Sequence, residues 1–397
     1  MQYDVTATLK RNERAVGIVK KYLGWLAKSI RNTKPELYTP KNDAFIIVGN
    51  HCDIFDPAFE IISLDRYIRF VASDHLIHLP VFGKLMLFVG GVIVKYRDRP
   101  SDELIEEIKA NINAGIPVGI HAEGGTTFNG ETGYVSENTG KLVKESGAAL
   151  ITYRFTGGYL KAPRWSNKPR SGKIYASVVA EYSPEELSRL TAEEITDIIR
   201  RDIYVNAFEE QRKNPQSFKG KSLAESLERV LYVCPHCKQV GTLQSHGDEL
   251  SCQCGYKLTY GEDGFFHPLS GEMVFDNVLD WDKWQREQWK GILLSAKAGE
   301  ELCRDSGQTV YSVNRGKRTL LAENADLVLY PDSIKAIKDG REIFSVEHSS
   351  AKKVQTAMKD FLIVVGDSGY YDINSQKPRS ATKYEAAWRY LTGREYV

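Results

Sequence analysis

From Asp43 to Tyr182 the chain alternates short apolar runs with helix-like stretches, and this alternation restricts the fold more than any other feature. The runs AFIIVGN (44–50), IRFVASD (68–74), GVIVKY (91–96), PVGIHAE (117–123), ALITYRF (149–155) and KIYASVVAEY (173–182) have the length and β-branched content of buried strands. Between them lie amphipathic segments such as Asp102 to Ala114. Ser183-Pro184-Glu185-Glu186 is a capping box with proline at the first helical position, and Thr191 to Glu194 repeats the box. Strands alternating with helices predict an α/β domain with a mixed, largely parallel sheet, reaching from residue 1 to about residue 222.

The rest of the chain changes character twice. A small cysteine-rich unit spans 228–268, and an aromatic stretch with Trp281, Trp284 and Trp289 reads as a helical linker over 269–304. From 305 to 397, short strands are separated by turn signals at Tyr330-Pro331-Asp332 and Asp339-Gly340. A closing helix is predicted over Ala381 to Leu391. This α+β pattern resembles a pleckstrin-homology-like fold, a module that binds lipid head groups or protein, or docks on an enzyme domain.

At 397 residues the chain is too long for one ordinary domain. Its net charge of +1 gives no global field toward nucleic acid, and no basic, aromatic-rich stripe is present, so a nucleic-acid partner is not expected. The densest apolar stretch, Leu79 to Val94, is broken by Lys84, Gly83, Gly90 and Gly91, so no spanning helix is predicted. The N-terminus lacks the layout of a signal peptide. A cytoplasmic protein, peripheral on the inner face of the membrane, is the expectation.

The membrane expectation rests on residues 10–31. Val16, Val19, Leu23, Leu26 and Ile30 recur at helical spacing, and Tyr22 and Trp25 suit a water–lipid boundary. Lys10, Arg11, Arg14, Lys20, Lys21, Lys28 and Arg31 face a single acid, Glu13. Either this helix lies on a membrane surface, or it packs on the next domain with a solvated basic face.

The first strand delivers Gly49-Asn50-His51-Cys52-Asp53-Ile54-Phe55-Asp56-Pro57 to the carboxyl end of the sheet, where open α/β sheets bind ligands. An imidazole near neutral pH can take a proton from a hydroxyl. A carboxylate on its other ring nitrogen fixes the tautomer and stabilises the imidazolium that forms. By themselves the two residues are weak evidence, since a lone histidine at a strand end is more often structural.

The order of later motifs resembles the glycerolipid acyltransferase family, the lysophosphatidic acid acyltransferases and their relatives. Asn50, His51 and Asp56 match that family's N-H-x-x-x-x-D motif. Leu76, Pro80, Gly83, Gly91 and Arg97 match its next segment, and Ala122-Glu123-Gly124-Gly125 its Glu-Gly element. The resemblance covers about residues 43–180. It implies acyl transfer from acyl-CoA or acyl-carrier protein to the hydroxyl of a lysophospholipid or glycerol-phosphate-type acceptor. His51 would be the general base, oriented by Asp56. Arg97 would contact phosphate, and Glu123, Gly124, Gly125 and Thr126 would form the acceptor site. The glycine amides are candidate donors to the tetrahedral oxygen.

The chain also departs from the family. Ala122 stands where a proline is usual, and the arginine expected after the Glu-Gly element is absent from Gly125-Thr126-Thr127-Phe128. Arg154, Lys161 or Arg164 are candidate substitutes, and an acceptor without phosphate is the alternative. These departures keep a second hypothesis open, a catalytically inactive lipid- or protein-binding scaffold. His75 and His121 read as structural or pocket-lining, and Cys52 as a minor thiol-nucleophile candidate.

Cys234-Pro235-His236-Cys237 and Cys252-Gln253-Cys254-Gly255 form two knuckles that can close four thiolates around zinc. The C-P-x-C form resembles a zinc ribbon. The short second knuckle leaves His236 and His246 as possible substitute ligands. A four-cysteine site is closed, so the metal would be structural and would stabilise a segment too small for its own core.

Overall fold

The computed structural model describes residues 5–73, 77, 82–96, 101–270, 272–314 and 317–394. They form two compact units. The first comprises Met1–Ala162 and Ser171–Gln216, and the second Pro163–Arg170 and Ser217–Val397.

The first unit opens with helix α1 (Leu9–Arg31) and strand β1 (Thr33–Pro35). Strand β2 (Phe45–Gly49), helix α2 (Asp56–Leu64), β3 (Arg69–Ser73), β4 (Ile93–Lys95), α3 (Ser101–Asn113) and β5 (Val118–His121) follow. Then come α4 (Glu137–Ser146), β6 (Ala149–Thr156), β7 (Ile174–Tyr182), α5 (Pro184–Ser188), α6 (Ala192–Ile203) and α7 (Ala207–Lys213). Both predicted capping boxes are formed, at Ser183 and Thr191.

The sheet order is β1-β7-β6-β2-β5-β3-β4. Neighbours run parallel except β6 and β7, which are antiparallel. The mixed, mostly parallel sheet expected from the alternation is therefore present. Side chains of β2 point alternately to the two faces. Ile46 and Val48 join Ile108, Ile112, Val143 and Ile199 on one side. Phe45 and Ile47 join Phe59, Leu64, Ile151 and Tyr153 on the other. Each such side chain contributes about 1.5–3 kcal/mol by leaving water, which fixes β2 at the centre.

In the second unit, β8 (Leu243–His246), β9 (Glu249–Cys252), β10 (Lys257–Tyr260) and β11 (Phe266–Ser270) form an antiparallel sheet in the order β11-β10-β9-β8. Helix α8 (Val278–Ser295) follows. The reading of 269–304 as a linker is corrected here. Trp281 and Trp289 are fully buried, and their indole N–H groups donate to Val233 O and Lys383 O, each at 2.9 Å. The aromatic helix is a core element because large indole surfaces need a packed partner.

The predicted 1–222 boundary also shifts. Pro163–Arg170 belongs to the second unit, where Arg170 sits over the rings of Trp165 (5.2 Å) and Tyr260 (4.9 Å) and donates to Leu223 O at 2.7 Å.

The C-terminal region adds β12 (Cys303–Asn314), β13 (Lys317–Leu329), β14 (Ser333–Lys338), β15 (Arg341–Glu347), β16 (Lys353–Ala357), β17 (Phe361–Gly366) and β18 (Gly369–Ser375). Helix α9 (Thr382–Leu391) closes it. The sheet is antiparallel, in the order β15-β14-β13-β12-β18-β17-β16.

Candidate active site

The register of the parallel sheet assembles the site. Gly49 pairs with His121 of β5 and with Tyr153 of β6. His51 and Glu123 each lie two residues past that rung, so they meet at the carboxyl edge. His51 N donates to Glu123 Oε1 at 2.6 Å, and His51 O accepts from Thr127 N at 3.2 Å. Asn50 clasps the other neighbour, donating to Phe155 O at 3.0 Å and accepting from Phe155 N at 2.7 Å. The loop carrying His51 is thus held on both sides by hydrogen bonds between side chains and main chain.

Asp56 opens α2, with Pro57 beside it in the first turn. Its Oδ2 accepts from His51 Nδ1 at 2.9 Å, Cys52 N at 2.8 Å and Asp53 N at 2.9 Å. The Asp56 side chain is 1% exposed, whereas that of His51 is 21% exposed. The helix N-terminus and two amide donors favour the carboxylate. A carboxylate there requires the proton on Nδ1, which leaves the Nε2 lone pair as the base.

Glu123 joins two loops: Oε1 accepts from His51 N and Oε2 from Gly133 N at 2.5 Å. Each oxygen retains a second lone pair for a further donor. The residue keeps some exposed surface, but its carboxyl group lies deep enough that desolvation outweighs these bonds. Its pKa is pushed up from 4.5 to about 7.

The amide of Gly124 is also engaged, donating to His121 O at 3.1 Å in a turn with φ of +70° that favours glycine. Gly125 N has no acceptor among the described residues, so only one of the two expected amide donors is available. Thr126 is partly buried just beyond the turn. Sequence reading missed Thr127, whose hydroxyl donates to Glu131 O at 2.6 Å, and Asn50's clasp of β6. Cys52 is buried. Burial and the carboxylates of Asp56, Asp53 and Glu123 push its thiol well up, which disfavours the nucleophilic thiolate.

Beside His51 lies a small crevice whose lining includes Asn50, Glu123, Thr127, Gly158 and Tyr159. Among the described residues that line it there is no lysine or arginine. Arg154 donates through Nε and Nη2 to Asp202 O at 2.7 and 2.5 Å. Lys161 Nζ donates to Gly172 O at 3.2 Å. Arg164 belongs to the second unit, where it donates to Met358 O at 2.5 Å. Neither Arg154 nor Lys161 therefore supplies the crevice. Arg97, with Leu76, Pro80 and His75, lies outside the described residues.

Residues 30–156 match the family model described as Acyltransferase. This part of the chain is an acyltransferase-family domain. Its matched segment spans β1 to β6 and contains His51, Asp56, Arg97, Glu123, Gly124, Gly125 and Thr126. No curated protein matches the chain. Among solved structures, the 1-acyl-sn-glycerophosphate (LPA) acyltransferase PlsC from Thermotoga maritima aligns over 53% of this chain and 85% of its own, at 17% identity and a TM-score of 0.41. The C-terminal domain of an unknown protein from Leishmania infantum aligns over 28% of this chain and 97% of its own, at 9% identity and a TM-score of 0.16.

Away from the acyltransferase domain, the four predicted cysteines come together. Cys234 Sγ and Cys254 Sγ are 3.9 Å apart, and Cys237 Sγ and Cys252 Sγ 3.7 Å. All four lie within 4.8 Å of one another, a group that can hold a metal ion. Sulfurs at Zn–S distances of about 2.3 Å in a tetrahedron are about 3.8 Å apart, so the donor set fits. His236 Nδ1 is 3.7 Å from Cys254 Sγ, outside this set, and His246 is exposed.

Proposed function

We propose that the acyltransferase domain moves a fatty acyl group from a thioester donor, acyl-CoA or acyl-carrier protein, to the hydroxyl of a lysophospholipid or glycerol-phosphate-type acceptor. The observation that carries this reading is the His51–Asp56 pair, held by three donors on one carboxylate oxygen within a domain of this family. His51 Nε2 takes the acceptor's hydroxyl proton as the oxygen attacks the thioester carbonyl. Asp56 holds the imidazole and stabilises its charge. Gly125 N is the available main-chain donor for the tetrahedral oxygen. Collapse expels the thiolate, which recovers the proton from His51. Arg97 is assigned to the acceptor's phosphate.

The test measures thiol release by the purified chain with acyl-CoA or acyl-carrier protein and acceptors with and without phosphate. His51→Ala is expected to lower turnover at least ~10²-fold. Full activity in that variant, or no release with any acceptor, would overturn the reading. The second outcome would favour the inactive scaffold.

Three further assignments accompany this one. Zinc is the metal of the four cysteines, in a structural role, and the sulfur spacing supports it. The C-terminal sheet is pleckstrin-homology-like, supported by its seven-strand order and closing helix. An experimental structure with another strand order would remove that assignment. The membrane surface is a partner through α1. No helix among the described residues is long and apolar enough to cross a membrane. Arg11, Arg14, Ile18, Lys21 and Trp25 form one exposed stripe of α1, with Ile18 60% and Trp25 74% exposed. Asn12 and Val16 are buried. The side chains of Val19, Tyr22, Leu23, Leu26, Lys28, Ile30 and Arg31, which the sequence reading used, lie outside the described residues.

A further inference from the structure

Acyl transfer by His51 and Asp56 leaves unused a second acid–imidazole pair directly behind them. Glu60 follows Asp56 by four residues on α2, so both carboxyls project from one helix face. The Glu60 side chain is 1% exposed, and neither of its oxygens has a hydrogen-bond partner. His121 ends β5. Its Nε2 is likewise buried without a partner and lies 3.6 Å from Glu60 Oε1. The His121 ring stacks on His51, with centroids 4.3 Å apart and planes at 29°. Phe70 of β3 stacks with the same ring at 5.9 Å. Glycine at position 49 leaves room for this carboxyl, since a Cβ there would crowd Glu60 Oε1.

Buried polar groups with no partner are costly and uncommon. Here two face each other, one an acid and one a base, with the base's ring laid against the proposed catalytic imidazole. From this geometry we infer that Glu60 and His121 form a neutral hydrogen-bonded pair, carboxyl O–H to Nε2, that positions His51 for catalysis. The separation of 3.6 Å is longer than a hydrogen bond, and a small side-chain rotation of Glu60 closes it. Glu60 then fixes His121 as the Nδ1–H tautomer, and the fixed ring holds the plane of His51 against Asp56.

The surrounding charges favour neutrality on both sides. Burial and then Asp56 push the Glu60 carboxyl well up, while burial and then His51 push His121 well down. The titratable groups around the pair are His51 from the β2–α2 loop, Asp56 on α2, Glu123 after β5 and Tyr153 on β6; Phe70 on β3 carries no charge. A neutral pair puts no fixed cation beside an imidazole that must itself become one. Glu60 and His121 are positioning residues, since neither needs to touch substrate.

The inference rests on His51 being the base, so its test has one arm that is independent of turnover. Nitrogen-15 NMR of the histidines in the full chain, from pH 6 to 8, should show His121 neutral and protonated on Nδ1 throughout. Glu60→Gln, whose amide can also donate, should keep that tautomer, and Glu60→Leu should lose it. An imidazolium, or an Nε2–H tautomer, in the unaltered protein would overturn the pair. In the kinetic arm, His121→Ala should lower kcat about tenfold with KM within about twofold, the scale of a misplaced catalytic group. His121→Phe should recover most of the loss, because it restores the ring platform. Equal losses in the Ala and Phe variants would overturn the positioning role. Failure of His51→Ala to lose activity would instead overturn the base assignment, leaving the NMR result to stand by itself.

Discussion

One cluster of buried charged side chains in each unit can be set against the other. In the second unit Lys383 is 2% exposed and pairs with Asp305 at 2.7 Å, and Tyr384 donates to the same carboxylate at 2.6 Å. No side-chain polar atom of these three is left without a partner. In the first unit Glu60 is buried as deeply, His121 is 10% exposed, and their facing atoms stand 3.6 Å apart beside the exposed face of His51. A closed polar cluster specifies packing. An open one at the carboxyl edge of a parallel sheet marks a place where the fold accepts a cost to place reactive groups.

The largest effect concerns the four cysteines, a cluster in the second unit that can hold a metal ion. The chain should carry about one zinc by elemental analysis. Structural zinc in small fingers is worth roughly 10–16 kcal/mol at neutral pH, so Cys234→Ser or a strong chelator should expose residues 228–268 to protease. Metal-free protein with unchanged protection would show that the four sulfurs are ordinary core cysteines.

Next in size is a direct comparison of the two acid–base clusters. Lys383→Met leaves Asp305 buried without its cation, which costs about 3–5 kcal/mol. Glu60→Gln replaces a neutral acid by a neutral isostere and should cost less than about 1 kcal/mol. Denaturant unfolding of both variants reads the difference. A Glu60→Gln penalty matching that of Lys383→Met would mean that Glu60 is ionised and paired, and the contrast between the units would collapse.

How much of this was legible in the sequence follows the range of the interactions. The strands from Phe45 to Tyr182 and both capping boxes were readable because a strand's burial and a box's two bonds depend on neighbouring residues. His51 and Asp56 were readable because five residues span one loop. Glu123 was found, but its bond to His51 N was not. That bond follows from the Gly49–His121 rung, and strand register is not written in spacing. Glu60 was invisible, since a glutamate on a helix normally faces water. Trp281 and Trp289 were seen as a helix but not as core, because their acceptors lie at Val233 and Lys383, far along the chain. The same long-range packing draws Pro163–Arg170 into the second unit.

Glu123 offers a smaller, pH-dependent test of polarity in the first unit. Its carboxyl titrates near 4.5 when exposed and at about 7 in the fold. The folded state therefore binds the proton more tightly. The sign follows: stability from this group is full below about pH 4.5 and declines as pH rises to about 7, by on the order of 3 kcal/mol. Glu123→Gln cannot titrate. Thermal unfolding of the two proteins across pH 4.5 to 7 should show the parent losing stability relative to the variant. A constant difference would place the carboxylate in a solvated setting.

The smallest effect concerns the outer stripe of α1, where the first unit exposes basic and aromatic side chains. A basic residue near an anionic membrane is worth about 1 kcal/mol, and a single substitution shifts binding only severalfold. Arg14→Glu and Lys21→Glu combined with Trp25→Ala should together weaken sedimentation with vesicles containing anionic lipid at least ~10-fold. Turnover on detergent-dispersed acceptor should stay unchanged, because none of the three lies at the crevice. Lys20 serves as the internal control, since it already pairs with Asp65 on α2's C-terminal side. If Lys20→Gln weakens vesicle binding as much as the triple variant, the attachment is spread over the basic face and the stripe through Ile18 and Trp25 has no special part in it. If only the triple variant matters, the exposed stripe of α1 carries the contact with lipid.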